Sequence, residues 1–246
     1  MDHPTATPGA DGRALPWRTF LGVLAAGSLL LVLASYVTLE LLDHPFFAVG
    51  GMGHAYLNVG VEANVPTWWS GTVLAVGGAS LLLLAWLLRT DRRPGVWPTL
   101  ALAALLLALS LDEMVSIHEQ LYRVGRLVVS AETIPFVWLA VGIPLALAVV
   151  VVVAVLARGL PRATRPLLLA GLLTFFAGAI GLELVGSQLH PTHGVQAPLT
   201  VAIYHGEELL EMLGAALMAV APLRAVRVTE AHPGVTLSVA QPQPAG

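Results

Sequence analysis

Six stretches of this chain are long enough and apolar enough to cross a lipid bilayer, and this feature limits the fold more than any other. A bilayer-spanning helix needs about 20 consecutive, mostly apolar residues. We predict spans at residues 17–41, 69–89, 96–117, 134–157, 166–188 and 198–222. Only 11% of the residues are charged, against roughly 25% in a soluble domain. The chain is therefore expected to be an integral membrane protein.

The predicted fold class is all-α, a polytopic membrane protein with six transmembrane helices in one domain over residues 17–227. Residues 1–16 and 228–246 are rich in proline, glycine, threonine and alanine, a composition that predicts disordered tails. The chain has no cysteine, which excludes disulfides and thiolate metal sites. The expected partner is the lipid bilayer, and no nucleic-acid partner is expected.

The arginines predict how the spans are oriented. All twelve basic residues are arginine, and ten of them flank the spans on the side that holds both chain ends. The opposite loops carry only Arg123 and Arg126. Because basic residues accumulate in cytoplasmic loops, both termini are predicted to be cytoplasmic in a multi-pass protein of the plasma membrane. Tryptophans near both ends of the spans agree with this placement, since tryptophan is enriched at membrane interfaces.

Acidic residues are concentrated toward the predicted outer ends of the spans. They are Asp112 and Glu113 in the third span, Glu183 in the fifth, and Glu207, Glu208 and Glu211 in the sixth. A carboxylate deep in a span costs about 2.5–3.5 kcal/mol on insertion scales. No arginine lies inside a span to pair with these groups. Protonation, water in an outward-open cavity, or a bound cation must offset this cost.

The residue types near these acids favour a metal as the cation. Carboxylate and imidazole are ligands of zinc, iron and manganese. The predicted metal ligands are Glu113, His118, Glu183, His205, Glu208 and Glu211. The predicted catalytic residues are Glu208, Glu183 and Asp112. A divalent metal held there would activate water or oxygen near a lipid or lipophilic substrate, as in a membrane hydrolase or oxidoreductase.

Helical periodicity indicates which polar side chains share a face. Residues seven apart return to nearly the same side of a helix. Asp112 and Glu119 are therefore predicted to share a face, and so are Glu183 and His190 if the helix persists that far. Tyr204, Glu208 and Glu211 form a stripe along the sixth span. His118 lies on another face from Asp112, so both can be ligands only if the pocket wraps the helix or the helix bends.

Several structural alternatives compete with this interpretation. Glu119 could form an ordinary interfacial ion pair with Arg123, four residues on. We expect the third, fifth and sixth helices to surround the pocket, the first to close its mouth, and the second and fourth to lie outside. The long loop between the first two spans either covers the pocket as a lid or lies in the membrane interface.

Two other functional classes stay open. Intramembrane carboxylates and histidines also occur in proton- or cation-coupled transporters, but the inner halves of these spans have few polar groups, among them Ser28 and Thr174. The third class is a non-catalytic membrane sensor or assembly protein. In one version of it, His118 and His205 would ligate a haem.

Overall fold

The computed structural model of the protein describes residues 12–133, 135–194, 196–231 and 234–240, and most of these residues are helical. The long helices are α1 (Trp17–Tyr36), α3 (Val65–Thr90), α4 (Val96–Val115), α6 (Leu139–Ala157), α7 (Arg165–Phe176), α8 (Glu183–His193) and α9 (Pro198–Val220). The short ones are α2 (Met52–Leu57) and α5 (Tyr122–Gly125). Single π-helical turns extend α1 over Val37–Leu41 and join α7 to α8 over Ala177–Leu182. Two 3₁₀ turns, His118–Leu121 and Pro222–Ala225, follow α4 and α9.

Five helical segments within the described residues have the length and the composition to cross a membrane. They are Trp17–Leu41, Val65–Thr90, Val96–Val115, Leu139–Ala157 and Arg165–His193. The remaining long helix, α9, is not among these five segments and carries three glutamates. This arrangement agrees with a multi-pass, mainly helical membrane protein.

A small antiparallel sheet closes one end of the bundle. Strand β1 (Arg13–Ala14) pairs with β2 (Val226–Ala231), which pairs in turn with β3 (Gly234–Val239). The sequence predicts disordered tails for part of this region, and the structure differs because the segments pair as strands that are anchored to the bundle by two buried valines. Val226 and Val239 are buried against leucines of α3. The rest of the predicted tails, residues 1–11, 232–233 and 241–246, lies outside the described residues.

The turns at this end fix the direction of each helix. The Arg93 guanidinium donates to the Ala240 carbonyl at 2.7 Å, and the Val239 amide donates to Asp91 at 3.1 Å. Gly95 approaches the backbone of Gly159 closely. The two described chain ends and the α3–α4 and α6–α7 turns therefore lie together. The opposite end of the bundle carries the carboxylates, and we call it the acidic end.

Helix α3 lies at the centre of the bundle, so the prediction that the second span lies at the outside of the bundle is wrong. It packs along α4 and α9, and Leu74, Leu81 and Leu84 are fully buried. Its glycines explain the close approach: a Cβ at Gly77 would lie 2.9 Å from Leu106 and 3.2 Å from the Ala219 backbone. Small residues let helices approach each other in a membrane, where contact rather than hydrophobicity drives packing.

Candidate functional site: an acid-lined cavity

A cavity of about 1080 Å³ opens at the acidic end, between α4, α6, α8, α9 and the loop that precedes α3. Eight carboxylic acids line it: Glu62, Asp112, Glu113, Glu119, Glu183, Glu207, Glu208 and Glu211. His54, His118 and His190 line it as well, and no arginine is found among the described lining residues. The acids predicted on three separate helices therefore share one chamber. The fourth span was predicted to lie outside, but Gly142, Leu145 and Ala146 of α6 line the cavity, so that prediction is wrong. None of the described lining residues comes from α3 or from α1, which was predicted to close the mouth.

The end of α4 brings His118 onto Asp112. The helix stops at Val115 because Ser116 adopts a left-handed conformation, with φ 52° and ψ 48°. The chain folds back, so the His118 amide donates to Asp112 Oδ1 at 2.8 Å, and the Nδ1 atom of His118 lies 3.1 Å from Asp112 Oδ2. The prediction that the helix continues past Ser116, with Asp112 and Glu119 on one face, is therefore wrong. The alternative that the helix bends before His118 agrees with the structure.

This hydrogen bond sets the protonation of the His118 side chain. Burial lowers the pKa of the imidazole, but the bond to Asp112 and the charges of Asp112, Glu62 and Glu113 outweigh it, so the pKa lies above its ordinary value. In the neutral ring, when Nδ1–H donates to the carboxylate, Nε2 keeps its lone pair as an acceptor, whereas in the protonated ring Nε2 is a second donor. A carboxylate that orients a histidine in this way is a recurrent partner of metal-bound histidines.

Glu183 accepts a hydrogen bond from Trp138, one of the tryptophans predicted to lie at a membrane interface. The Trp138 indole donates to Glu183 Oε1 at 3.2 Å, and its ring centroid lies 5.6 Å from that of His118. Glu183 follows the π-helical turn after α7, and such turns are frequent at functional sites. Helix α8 persists to His193, so Glu183 and His190 both line the cavity, as their spacing predicts.

Helix α9 contributes the densest row of polar side chains. Tyr204, Glu208 and Glu211 line the cavity together with Glu207, which agrees with the predicted stripe. One turn before Tyr204, Thr200 also lines the cavity and is only 5% exposed. Its hydroxyl has no hydrogen-bond partner among the described residues. A buried hydroxyl without a partner costs free energy, so this position has an unmet capacity to bind a ligand or water.

His205 lies apart from the cavity, in the contact between α9 and α1. Its Nδ1 atom is 2.9 Å from the Val201 carbonyl oxygen, and its Nε2 atom is 3.2 Å from Ser35 Oγ. The ring also makes an edge contact with Tyr36. Both ring nitrogens therefore have partners within the protein. Neither the predicted metal ligation by His205 nor a haem between His118 and His205 is supported by this position.

Glu62 belongs to the site but was missed in the sequence. It lies in the loop between α2 and α3, which lines the cavity with His54, Asn58 and Gly60 and so covers part of it. Burial raises the pKa of Glu62, and the neighbouring charge of Glu119 adds to this effect. Its Oε2 atom is buried with no described hydrogen-bond partner. The available signal was that Glu62 is the only acid between Asp43 and the second span.

The acids of the cavity are not neutralised by basic side chains. Among the described residues, the ion pair found is His118 with Asp112; the possible pair of Glu119 with Arg123 does not form there. Over the same part of the chain, no group of three or more histidines, cysteines, aspartates and glutamates is arranged to hold a metal ion. The predicted ligands thus line one chamber without forming a ready coordination shell.

Comparison with curated proteins and with solved structures yields no match. A family model, described as Domain of unknown function (DUF8692), matches residues 18–226. The match covers all of the long helices except the first residue of α1, and it ends at the first residue of β2. It therefore includes the whole acid-lined cavity. The chain belongs to this family, DUF8692.

Proposed function

We propose that this protein is a multi-pass membrane protein whose acid-lined cavity binds a divalent metal, and that it acts as a metal-dependent hydrolase or oxidoreductase on a lipid or lipophilic substrate. The observation that carries the proposal is that eight carboxylic acids line one cavity with no arginine among the described lining residues. Zinc, iron and manganese are the candidate metals, since carboxylate and imidazole are their ligands.

The membrane placement in this proposal has six spans, with α9 as the sixth, and cytoplasmic termini. The pairing of β1 with β2 supports an even number of crossings, because it holds the two ends of the helical region together. The arginine distribution supports the orientation, with ten of twelve arginines at the sheet end. The cavity would then open at the outer leaflet of the plasma membrane.

Electrostatics favour a cation in the cavity. Carboxylates that share a site repel one another, so they either stay protonated or gain a positive charge nearby. Trp138 donates a hydrogen bond to Glu183, which compensates for only part of this repulsion. A divalent ion would neutralise two of these charges at once.

The proposed ligands are Glu113, Glu183, Glu208, Glu211 and the Nε2 atom of His118. Asp112 then orients His118 rather than contacting the metal, because its oxygens bind the His118 amide and ring. A metal held there would supply an activated water or oxygen. Glu208 or Glu183, when it is not a ligand, would accept or return a proton in the same chamber.

The deep wall of the cavity favours this proposal over transport. Below the acids the cavity is lined by Leu109, Val149, Phe175 and Phe176, and the described lining residues include no polar group that would continue a path toward the sheet end. A proton or cation pathway needs polar stations through the membrane. A non-catalytic sensor would share the metal but not the chemistry, so turnover assays separate it from the enzyme.

Elemental analysis of the protein purified in a mild detergent tests the metal. We expect a stoichiometric amount of zinc, iron or manganese, and we expect Glu208→Gln to reduce its retention by about tenfold or more, because a ligand is lost without a change of shape. Glu132→Gln is the matched control, since Glu132 is exposed and does not line the cavity. The proposal would be overturned if the purified protein contained no metal and the folded protein also failed to bind zinc, iron or manganese added to it.

A further inference from the structure

The cavity is far larger than a metal ion needs. One water occupies about 30 Å³ in the liquid, so an ion with six waters takes up roughly 200 Å³. The cavity has about 1080 Å³, at the upper end of the usual range for ligand pockets. Most of the chamber is therefore left for an organic molecule.

The unfilled part lies beneath the acids and is apolar. We call Leu109, Ala146, Val149, Phe175 and Phe176 the apolar floor; all five line the cavity. Their depth follows from helix contacts and spacing. A Cβ at Gly214 would lie 2.5 Å from the Phe175 amide nitrogen, which places Phe175 about 4.5 Å beyond Glu211 along α9. Leu109 similarly precedes Asp112 by about 4.5 Å along α4.

Helix α6 separates the floor from the exterior of the bundle by a single layer. It carries no charged or polar side chain. Its cavity face holds Gly142, Ala146 and Val149, while Leu147 and Val151 on its other faces are each 62% exposed. Leu145 lines the cavity and is still 53% exposed. The margin of α6 therefore joins the apolar floor to the surface that lipid would cover.

The charges around the upper cavity restrict the head group of an occupant. Eight acids face it, and no arginine is present among the described lining residues to bind a phosphate or carboxylate. One divalent ion would leave the site negative or rich in protonated acids, and neither state attracts an anion. An uncharged hydroxyl or a cationic head meets no such repulsion.

We infer that the molecule bound in this cavity is a membrane amphiphile whose head group carries no negative charge, with a hydrocarbon chain on the apolar floor and its head among the carboxylates. The inference rests on the proposed function for the chemistry at the head group. The chain reaches the floor from the bilayer along the margin of α6. The carboxylates near the membrane surface would then lie at the same depth in the bilayer as the head group and contact it.

Photolabelling of the intact protein in detergent or nanodiscs tests this inference. The probes are a long-chain alcohol with a diazirine near the chain end and the fatty acid of the same length with the same diazirine. We expect the alcohol to label peptides that contain Ala146, Val149 or Phe175, and the fatty acid to label them several-fold less. Equal labelling by both probes would overturn the head-group assignment, and labelling elsewhere on the bundle would overturn the floor.

Filling the floor provides the matched variants. Ala146→Phe and Val149→Phe are expected to reduce floor labelling by roughly tenfold, the loss of about two buried methylene contacts. Val151→Phe, on the lipid-exposed face of α6, should leave it unchanged. Undiminished labelling in both folded floor variants would contradict the inference. Metal content separates the two proposals, because the floor variants should keep the metal, whereas Glu208→Gln should lose the metal and keep the labelling.

Discussion

Asp112 and His118 show how one backbone conformation changes the meaning of a sequence motif. On a continuous helix these two residues point in different directions, so both could be ligands only if the pocket wrapped around the helix. The left-handed Ser116 ends α4 and folds His118 back onto Asp112. Asp112 therefore orients the His118 ring, and the two residues do not act as independent ligands.

This pair predicts a dependence of stability on pH. The folded protein raises the pKa of His118, so the stability from this group is fully present below the unfolded value of about 6.5 and is lost as pH rises through the folded pKa. Asp112→Asn is expected to lower the free energy of unfolding by about 1 kcal/mol at low pH and by less at alkaline pH. Denaturant titrations in detergent at several pH values measure this difference.

The control for this experiment is Glu132→Gln, which changes an exposed acid outside the cavity and should follow the wild-type pH profile. The other acids of the cavity are present in both the wild type and Asp112→Asn, so the difference between the two profiles isolates the pair. A constant offset between them at every pH would mean that the His118–Asp112 interaction does not depend on the charge of the imidazole.

At the scale of elements, glycines decide which helices surround the cavity. Gly214 of α9 lies directly against α7, where an added Cβ would meet the Gly171 carbonyl oxygen at 2.6 Å and the Phe175 amide nitrogen at 2.5 Å. Backbone atoms on both sides leave little room for adjustment. This contact lies one turn below Glu211, so it also sets how closely the acids of α9 approach Glu183 on α8.

We therefore expect Gly214→Ala to separate α9 from α7 and to lower stability by about 1–3 kcal/mol, as overpacking does elsewhere. The same displacement should weaken metal retention, because Glu208 and Glu211 move with α9. Thermal unfolding and elemental analysis measure the two effects. Gly22→Ala in α1 is the control, since nothing lies within 4 Å of its Cβ position and alanine favours a helix. Equal stability of both variants would show that the α7–α9 contact is not tight.

For the whole molecule, the sheet and the acidic end divide the bundle into two chemically different ends. The sheet end holds the two described chain ends and ten arginines, while the acidic end holds the cavity. Basic ends of membrane proteins tend to stay in the cytoplasm. In the proposed orientation, the sheet end would be cytoplasmic and the cavity would face the outside.

The natural absence of cysteine makes this orientation directly testable. Ala131→Cys, in the exposed loop before α6, should react with a membrane-impermeant maleimide in intact cells. Thr90→Cys, exposed at the end of α3 near the sheet, should react only after the membrane is permeabilised. The reverse pattern would place the cavity in the cytoplasm, and reaction of both sites in intact cells would exclude the proposed six spans.

Much of this protein follows from the sequence alone. Long uncharged stretches predict the membrane helices, because backbone amides and carbonyls in the hydrocarbon core must form their hydrogen bonds within the protein, as they do in an α-helix. The spacing of Tyr204, Glu208 and Glu211, and of Glu183 and His190, predicts which acids share a side, since these depend only on the period of one helix. The position of the acids near one end of the bundle follows from counting along the chain.

Tertiary structure alone decided which of these groups meet. His205 has the right residue type but packs against Ser35 and Val201, whereas Glu62 and Trp138 join the cavity from a loop and from a predicted interface position. The central place of α3 and the apolar floor depend likewise on contacts between helices distant in sequence. A helical period fixes a direction about one axis, but only the packing of several axes determines what lies in that direction.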